Sequence, residues 1–143
     1  MELSKMILDI EQHIDVKRGI TDVYEGVLLE LTDKMCYPDG RSYDMRLERK
    51  PGGRWFRDFP NDTGHLWGIV QTIKPPTLLE ITGQMFMSYP VANHLSFKLV
   101  ETDGVTRVTL RHRALGLIPE EDGKGVGQGW GELLEGIKKN LES

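Results

Sequence analysis

From Arg107 to Ala114 the residues alternate without a break, with Val108, Leu110, His112 and Ala114 on one side and Arg107, Thr109, Arg111 and Arg113 on the other. Side chains along a strand point to opposite faces with a period of two, so this segment is a strand with one dry and one wet face. The segment before it does the same, Leu95, Phe97 and Leu99 opposing His94, Ser96 and Lys98. Asp103-Gly104 lies between the two, a dipeptide that favours a tight hairpin turn. A hairpin is marginal alone in water, so its dry face must be covered by something apolar.

The C-terminus supplies a cover. Val126, Trp130, Leu133, Leu134, Ile137 and Leu141 recur at helical spacing, while Glu132, Glu135, Lys138 and Lys139 fill the other side. The segment Gly116 to Gly127, with Pro119-Glu120-Glu121-Asp122 and several glycines, reads as the loop leading into this helix. Near the N-terminus, Leu8, Ile10 and Ile14 alternate with Asp9, Glu11, His13 and Asp15, a half-buried strand. From Ile20 the period changes to helical, and Ile20, Val23, Tyr24, Val27, Leu28 and Leu31 predict a helix of about three turns.

Between Met45 and Leu115 turn residues recur at Pro51-Gly52-Gly53, Asn61-Asp62-Thr63-Gly64, Pro75-Pro76, Tyr89-Pro90 and Asp103-Gly104. They divide this stretch into six short strands. The strands around Trp55 and Trp67 carry apolar residues on both faces, which leaves open which tryptophan looks inward. The expected order is strand, helix, six strands, helix: an α+β fold in which an antiparallel sheet curls around the last helix. A curved sheet and a straight helix do not meet everywhere, so a cavity is expected between them.

All 143 residues fit one domain, and no linker or internal repeat divides them. The single cysteine, Cys36, excludes an intramolecular disulfide. Lys and Arg number 18 against 22 Asp and Glu, a net charge of -4 that argues against a general nucleic-acid binder. No apolar run reaches the length of a membrane span. Glu2, Lys5, Asp9 and Glu11 are unsuited to a secretory leader, so a cytoplasmic location is expected.

With this element order the chain resembles the START-like superfamily of polyketide cyclases, dehydrases and lipid-transport proteins, whose fold is the helix grip. The resemblance rests on Gly52-Gly53-Arg54-Trp55-Phe56 opening a strand, on Gly104-Val105-Thr106-Arg107-Val108-Thr109-Leu110 in a hairpin, and on Gly129-Trp130 in the last helix. Within it the chain is most similar to the branch named for activators of a heat-shock chaperone ATPase. Val16-Lys17-Arg18-Gly19 stands where that family usually has an alanine-proline step. The resemblance implies a cavity for a small apolar or amphipathic molecule, with a chaperone or other protein as an alternative partner and a cyclase or dehydratase reaction as a third reading. It transfers no catalytic residue.

The residues expected to line such a cavity are Trp55, Trp67, Met85, Phe97, Leu110, His112, Trp130 and Leu134. His112 stands out as a polar ring on a dry face, either hydrogen-bonded in the core or anchoring a polar ligand group. His13, His65 and His94 show no metal-ligand spacing with it or with Cys36, so no metal is expected. No cofactor is expected either: Gly123 to Gly129 lacks the pattern of a phosphate-binding loop and reads as a flexible gate or linker. Arg107, Arg111, Arg113, Lys98 and His94 form an outward basic patch, balanced by carboxylates such as Glu80 or free to dock an acidic partner. No nucleophile elbow is present, and Glu80 or Asp58 would be the groups for acid-base chemistry.

Overall fold

The computed structural model describes residues 2–143. After a 3-10 turn at Leu3–Met6 come β1 (Ile7–Val16), α1 (Ile20–Leu31), β2 (Met45–Leu47), β3 (Arg54–Phe59), β4 (Thr63–Lys74), β5 (Leu78–Gly83), β6 (Val91–Thr102), β7 (Val105–Gly116) and α2 (Glu120–Glu142). The seven strands form one antiparallel sheet in the order β1-β7-β6-β5-β4-β3-β2, with α2 seated on its inner face. This is the helix-grip fold, with the element order expected from the sequence.

The clean alternation of β6 and β7 carries through to burial. Leu95, Phe97, Leu99, Val108 and Leu110 are buried and pack with Trp130, Leu133, Leu134 and Ile137 of α2. Asp103 and Gly104 both take positive φ, 51° and 81°, which matches a two-residue turn to the twist of the flanking strands. On the outer face the arginines are neutralised across strands. Arg107 forks onto Asp15 at 2.8 and 3.0 Å, Arg111 onto Asp9 at 3.2 and 3.0 Å, and His94 lies 3.1 Å from Glu80. Hydrogen bonds from these arginines hold the Asp15 and Asp9 carboxyls below their ordinary range. The patch is therefore largely a ladder of paired charges.

Trp55 and Trp67 both look inward, and their rings meet edge to face at 5.1 Å. Their strands lack a simple alternation because the β3–β4 register shifts between Trp55 and Phe56, so two successive residues are buried. Phe56 is covered instead by the Arg54 guanidinium, 4.1 Å above its ring. β4 and β5 also approach closely at Gly68 and Gly83. Gly83 has φ 152°, and a Cβ on it would lie 2.7 Å from the Gly68 Cα, so neither strand tolerates a side chain there.

Helix α1 closes one end of the sheet. Gly19, at the cap position just before the helix, offers no capping side chain, and Glu101 of β6 supplies the acceptor, taking the Ile20 N–H at 2.7 Å. At its other end the Leu31 carbonyl accepts the Trp55 indole N–H at 2.9 Å.

The last helix corrects the sequence reading in one respect. It begins at Glu120, so Gly123 to Gly129 is helix and not the loop, linker or gate expected from its composition. Glycine disfavours a helix interior, but here tertiary packing overrides propensity. Gly123, Gly127 and Gly131 share the face that lies along β1, beside Leu8, Ile10 and Gln12. Gln12 donates to the Gly127 carbonyl at 2.7 Å. Glu120, Glu121 and Asp122 occupy the first turn, where negative charge is favoured by the helix dipole.

A Cβ at Gly125 would meet no atom within 4 Å. Gly125→Ala should therefore raise stability by about 0.5 to 1 kcal/mol through helix propensity alone. Urea denaturation measures it, and a loss of stability would show that residues 120–129 are not helical.

Candidate functional site

Beside the buried core lies an open cleft of about 710 Å³. One wall is the N-terminal half of α2, where Gly125, Gly129, Trp130 and Leu133 face the space. The opposite side is formed by Trp67 of β4 and Phe86 of the loop between β5 and β6. Met35 and Cys36, just after α1, complete it. Trp67 and Trp130, themselves largely buried, and the exposed Phe86 make a continuous aromatic row along it, with ring centroids 5.6 and 6.5 Å apart. Gly125 and Gly129 are one helical turn apart with nothing within 4 Å of a Cβ, so their missing side chains keep this wall of the cleft recessed.

The loop that presents Phe86 is tied down at both ends. Met85 takes a positive φ of 57° and donates its N–H to the Trp67 carbonyl, which turns the chain so that Met85 and Met87 are buried and Phe86 is exposed. The Gln84 amide bonds the carbonyls of Met87 and Tyr89. Tyr89 donates its hydroxyl to Asp122 at 2.7 Å, joining the loop to the first turn of α2. Burial and this carboxylate push the Tyr89 hydroxyl up to about 12.

Beneath the cleft runs a buried polar chain. The Trp130 indole N–H donates to His112 Nδ1 at 3.0 Å, and His112 Nε2 lies 2.6 Å from Asn93 Oδ1. An indole nitrogen only donates, so Nδ1 must accept, and the proton of the neutral ring sits on Nε2 and is given to Asn93. Asn93 passes its own amide protons to the carbonyls of Gly83 and Gln84, at 3.1 and 3.4 Å. The chain thus links helix, two strands and the base of the Phe86 loop. Burial lowers the His112 pKa from 6.5 to about 4, so the ring is neutral at physiological pH.

Of the eight residues singled out from sequence, Trp67 and Trp130 line the cleft. Trp55, Met85, Phe97, Leu110, His112 and Leu134 are buried in the core around it. Both His112 nitrogens are engaged within the protein, which is the hydrogen-bonded core arrangement. Glu80 and Asp58 lie away from the cleft, on the outer sheet face and on β3 near the far edge of the sheet. Among the described residues no cluster of His, Cys, Asp and Glu could hold a metal ion. Sequence reasoning missed Phe86, Asn93 and the pair Gly125 and Gly129. Asn93 carried a readable signal, since it shares the alternating face of Leu95 and Phe97 and is polar there, as His112 is in β7.

A curved antiparallel sheet gripping a long C-terminal helix beside an aromatic cleft defines a START-like protein. A family model described as Activator of Hsp90 ATPase homolog 1-like protein matches residues 39–142, and the chain belongs to that family. No curated protein matches the sequence. Among solved structures, protein CV1439 from Chromobacterium violaceum superposes with a TM-score of 0.68 at 17% identity, over 94% of this chain and 97% of that one. CalU16 from Micromonospora echinospora gives 0.64 at 17% identity, over 91% and 71%. StfQ, a di-domain ARO/CYC from the steffimycin biosynthetic pathway, gives 0.69 at 13% identity, and the chain spans 98% of itself but only 52% of that protein. These likenesses establish the fold. No helix is long and apolar enough to cross a membrane among the described residues.

Two outcomes test the buried chain. Trp130→Ala should cost about 3 to 5 kcal/mol in chemical denaturation, and a loss below about 1 kcal/mol would mean that the helix does not grip the sheet there. The pH dependence has a definite sign. In the unfolded chain His112 takes up a proton near pH 6.5 and in the folded protein only near 4, so its contribution is complete above pH 6.5 and is lost as pH falls toward 4, by about 3 kcal/mol. His112→Leu should cost about 2 to 4 kcal/mol at pH 7 by stranding Asn93 and Trp130, and should remove this component of the acid slope.

Proposed function

We propose that this protein is a cofactor-free binding module that holds a small apolar or amphipathic molecule in the cleft beside α2. The observation that carries the reading is the combination of an open volume of about 710 Å³, an aromatic surface of Trp67, Phe86 and Trp130, and two glycines that leave the helix wall recessed. Pockets of this size with apolar and aromatic lining are where small molecules bind. Membership of the family and the likeness to folds such as the ARO/CYC proteins support the reading. The cleft also joins the first turn of α2 to a loop between strands, so occupancy would affect both elements.

A cyclase or dehydratase reaction is less well supported. His112 has no nitrogen to offer, and Glu80 and Asp58 lie elsewhere. A chaperone-directed role draws on the family description, but the outer sheet face offers mostly paired charges to a protein partner.

Native mass spectrometry of the purified protein for co-purified small molecules tests the reading first. A direct test uses the uncharged fluorescent probe N-phenyl-1-naphthylamine. It should bind the wild-type protein with enhanced fluorescence, and Gly129→Leu, which fills the cleft while improving helix propensity, should weaken binding at least about tenfold without lowering the melting temperature. Unchanged affinity in the folded variant would place the probe elsewhere and remove the cleft as the binding site.

A further inference from the structure

The charged groups around the cleft are unequally distributed. Glu30 of α1 and Glu121, Asp122 and Glu132 of α2 bring four carboxylates to its walls, and Lys34 brings one ammonium. The amide end of α2 would by itself favour an anion. Its first turn reverses that sign, because Glu120, Glu121 and Asp122 place full negative charges over the partial positive charge of the helix end. None of Glu121, Glu132 and Lys34 has an ion-pair partner within 4.0 Å among the described residues. Trp67, Phe86 and Trp130 in the same lining supply aromatic surface against which an apolar body can pack beside these carboxylates.

Resting on the binding reading above, we infer that the cleft selects amphipathic molecules that carry a positive charge: an apolar or aromatic body against Trp67, Phe86 and Trp130, and an ammonium group drawn by the summed negative field of the wall carboxylates, with Glu121 and Glu132, at the two ends of the helix wall, free of any ion pair among the described residues. An anionic amphiphile of the same shape would meet a net of three negative charges at the walls. A neutral one would gain the apolar contact alone. Specificity here is thus set as much by repulsion of the wrong charge as by attraction of the right one.

Three probes with one body separate the terms: naphthalen-2-ylmethylammonium, naphthalen-2-ylmethanol and naphthalene-2-carboxylate, titrated into 15N-labelled protein at pH 7.5 and low salt. All that bind the cleft should shift the amides of Gly125 and Gly129 and the indole of Trp130. The ammonium should bind at least about fivefold more tightly than the alcohol, and the carboxylate most weakly, the advantage shrinking in about 0.5 M NaCl. In the double variant Glu121→Gln with Glu132→Gln the ammonium should lose most of its advantage while the affinity of the alcohol, which also reports that the variant is folded, stays the same. An alcohol or carboxylate that binds as tightly as the ammonium overturns the charge selection but leaves the binding reading intact. If no probe shifts the cleft resonances, the binding reading fails and the selection with it.

Discussion

The hydrogen bond from the Trp130 indole to His112 is the contact on which the rest of this structure depends. It joins α2 to the middle of the sheet through two groups that would each be costly to bury alone. Apolar packing of Leu133, Leu134 and Ile137 drives the helix onto the sheet, but it is non-directional and would tolerate a helix shifted or rotated along its axis. A donor that must meet one ring nitrogen does not tolerate that. The next links, His112 to Asn93 and Asn93 to Gly83 and Gln84, carry the same constraint into the loop that presents Phe86. Every buried polar side-chain atom among the described residues finds a partner, the condition under which such a chain specifies one arrangement.

The cleft follows from this fixed placement. Held at Trp130, the N-terminal half of α2 must pass close to β1, and it does so by presenting Gly123, Gly127 and Gly131 to that strand. The opposite side of the same turns presents Gly125 and Gly129, and because nothing fills the space in front of them the aromatic rings of the sheet and loop face an opening. Glycine is thus used twice in one helix, for close approach on one side and for room on the other. The same segment is intrinsically a weak helix, held by contact with Gln12 and by the Tyr89–Asp122 bond.

Much of this was legible in the sequence because the deciding signals are local. The alternation in β6 and β7, the stripe from Trp130 to Leu141 and the turn dipeptides each report on a single element, and together they constrain the topology. His112 was recognisable as a polar residue on a dry face for the same reason. Asn93 carried the same signal on the neighbouring strand of the hairpin, but Trp130 is reached across the interface with the helix, a distance that no local pattern records. The strands at Trp55 and Trp67 resisted reading because a bulge breaks the period of two. The start of α2 was hidden because glycine content points to a loop when the strand that accommodates those glycines lies more than a hundred residues earlier. Phe86, exposed in a loop between buried methionines, is positioned by backbone turns and not by any periodicity.

The central claim, that a neutral His112 receives the Trp130 proton and passes its own to Asn93, is open to direct observation. Long-range 1H–15N correlation spectra of the histidine rings report which nitrogen carries hydrogen and whether the ring is charged. The account predicts that His112 shows a protonated Nε2 and an unprotonated Nδ1, unchanged from pH 7.5 down to pH 5, with the Trp130 indole N–H protected from solvent exchange. An Nδ1–H tautomer, a ring that titrates near pH 6.5, or a freely exchanging Trp130 indole would contradict it.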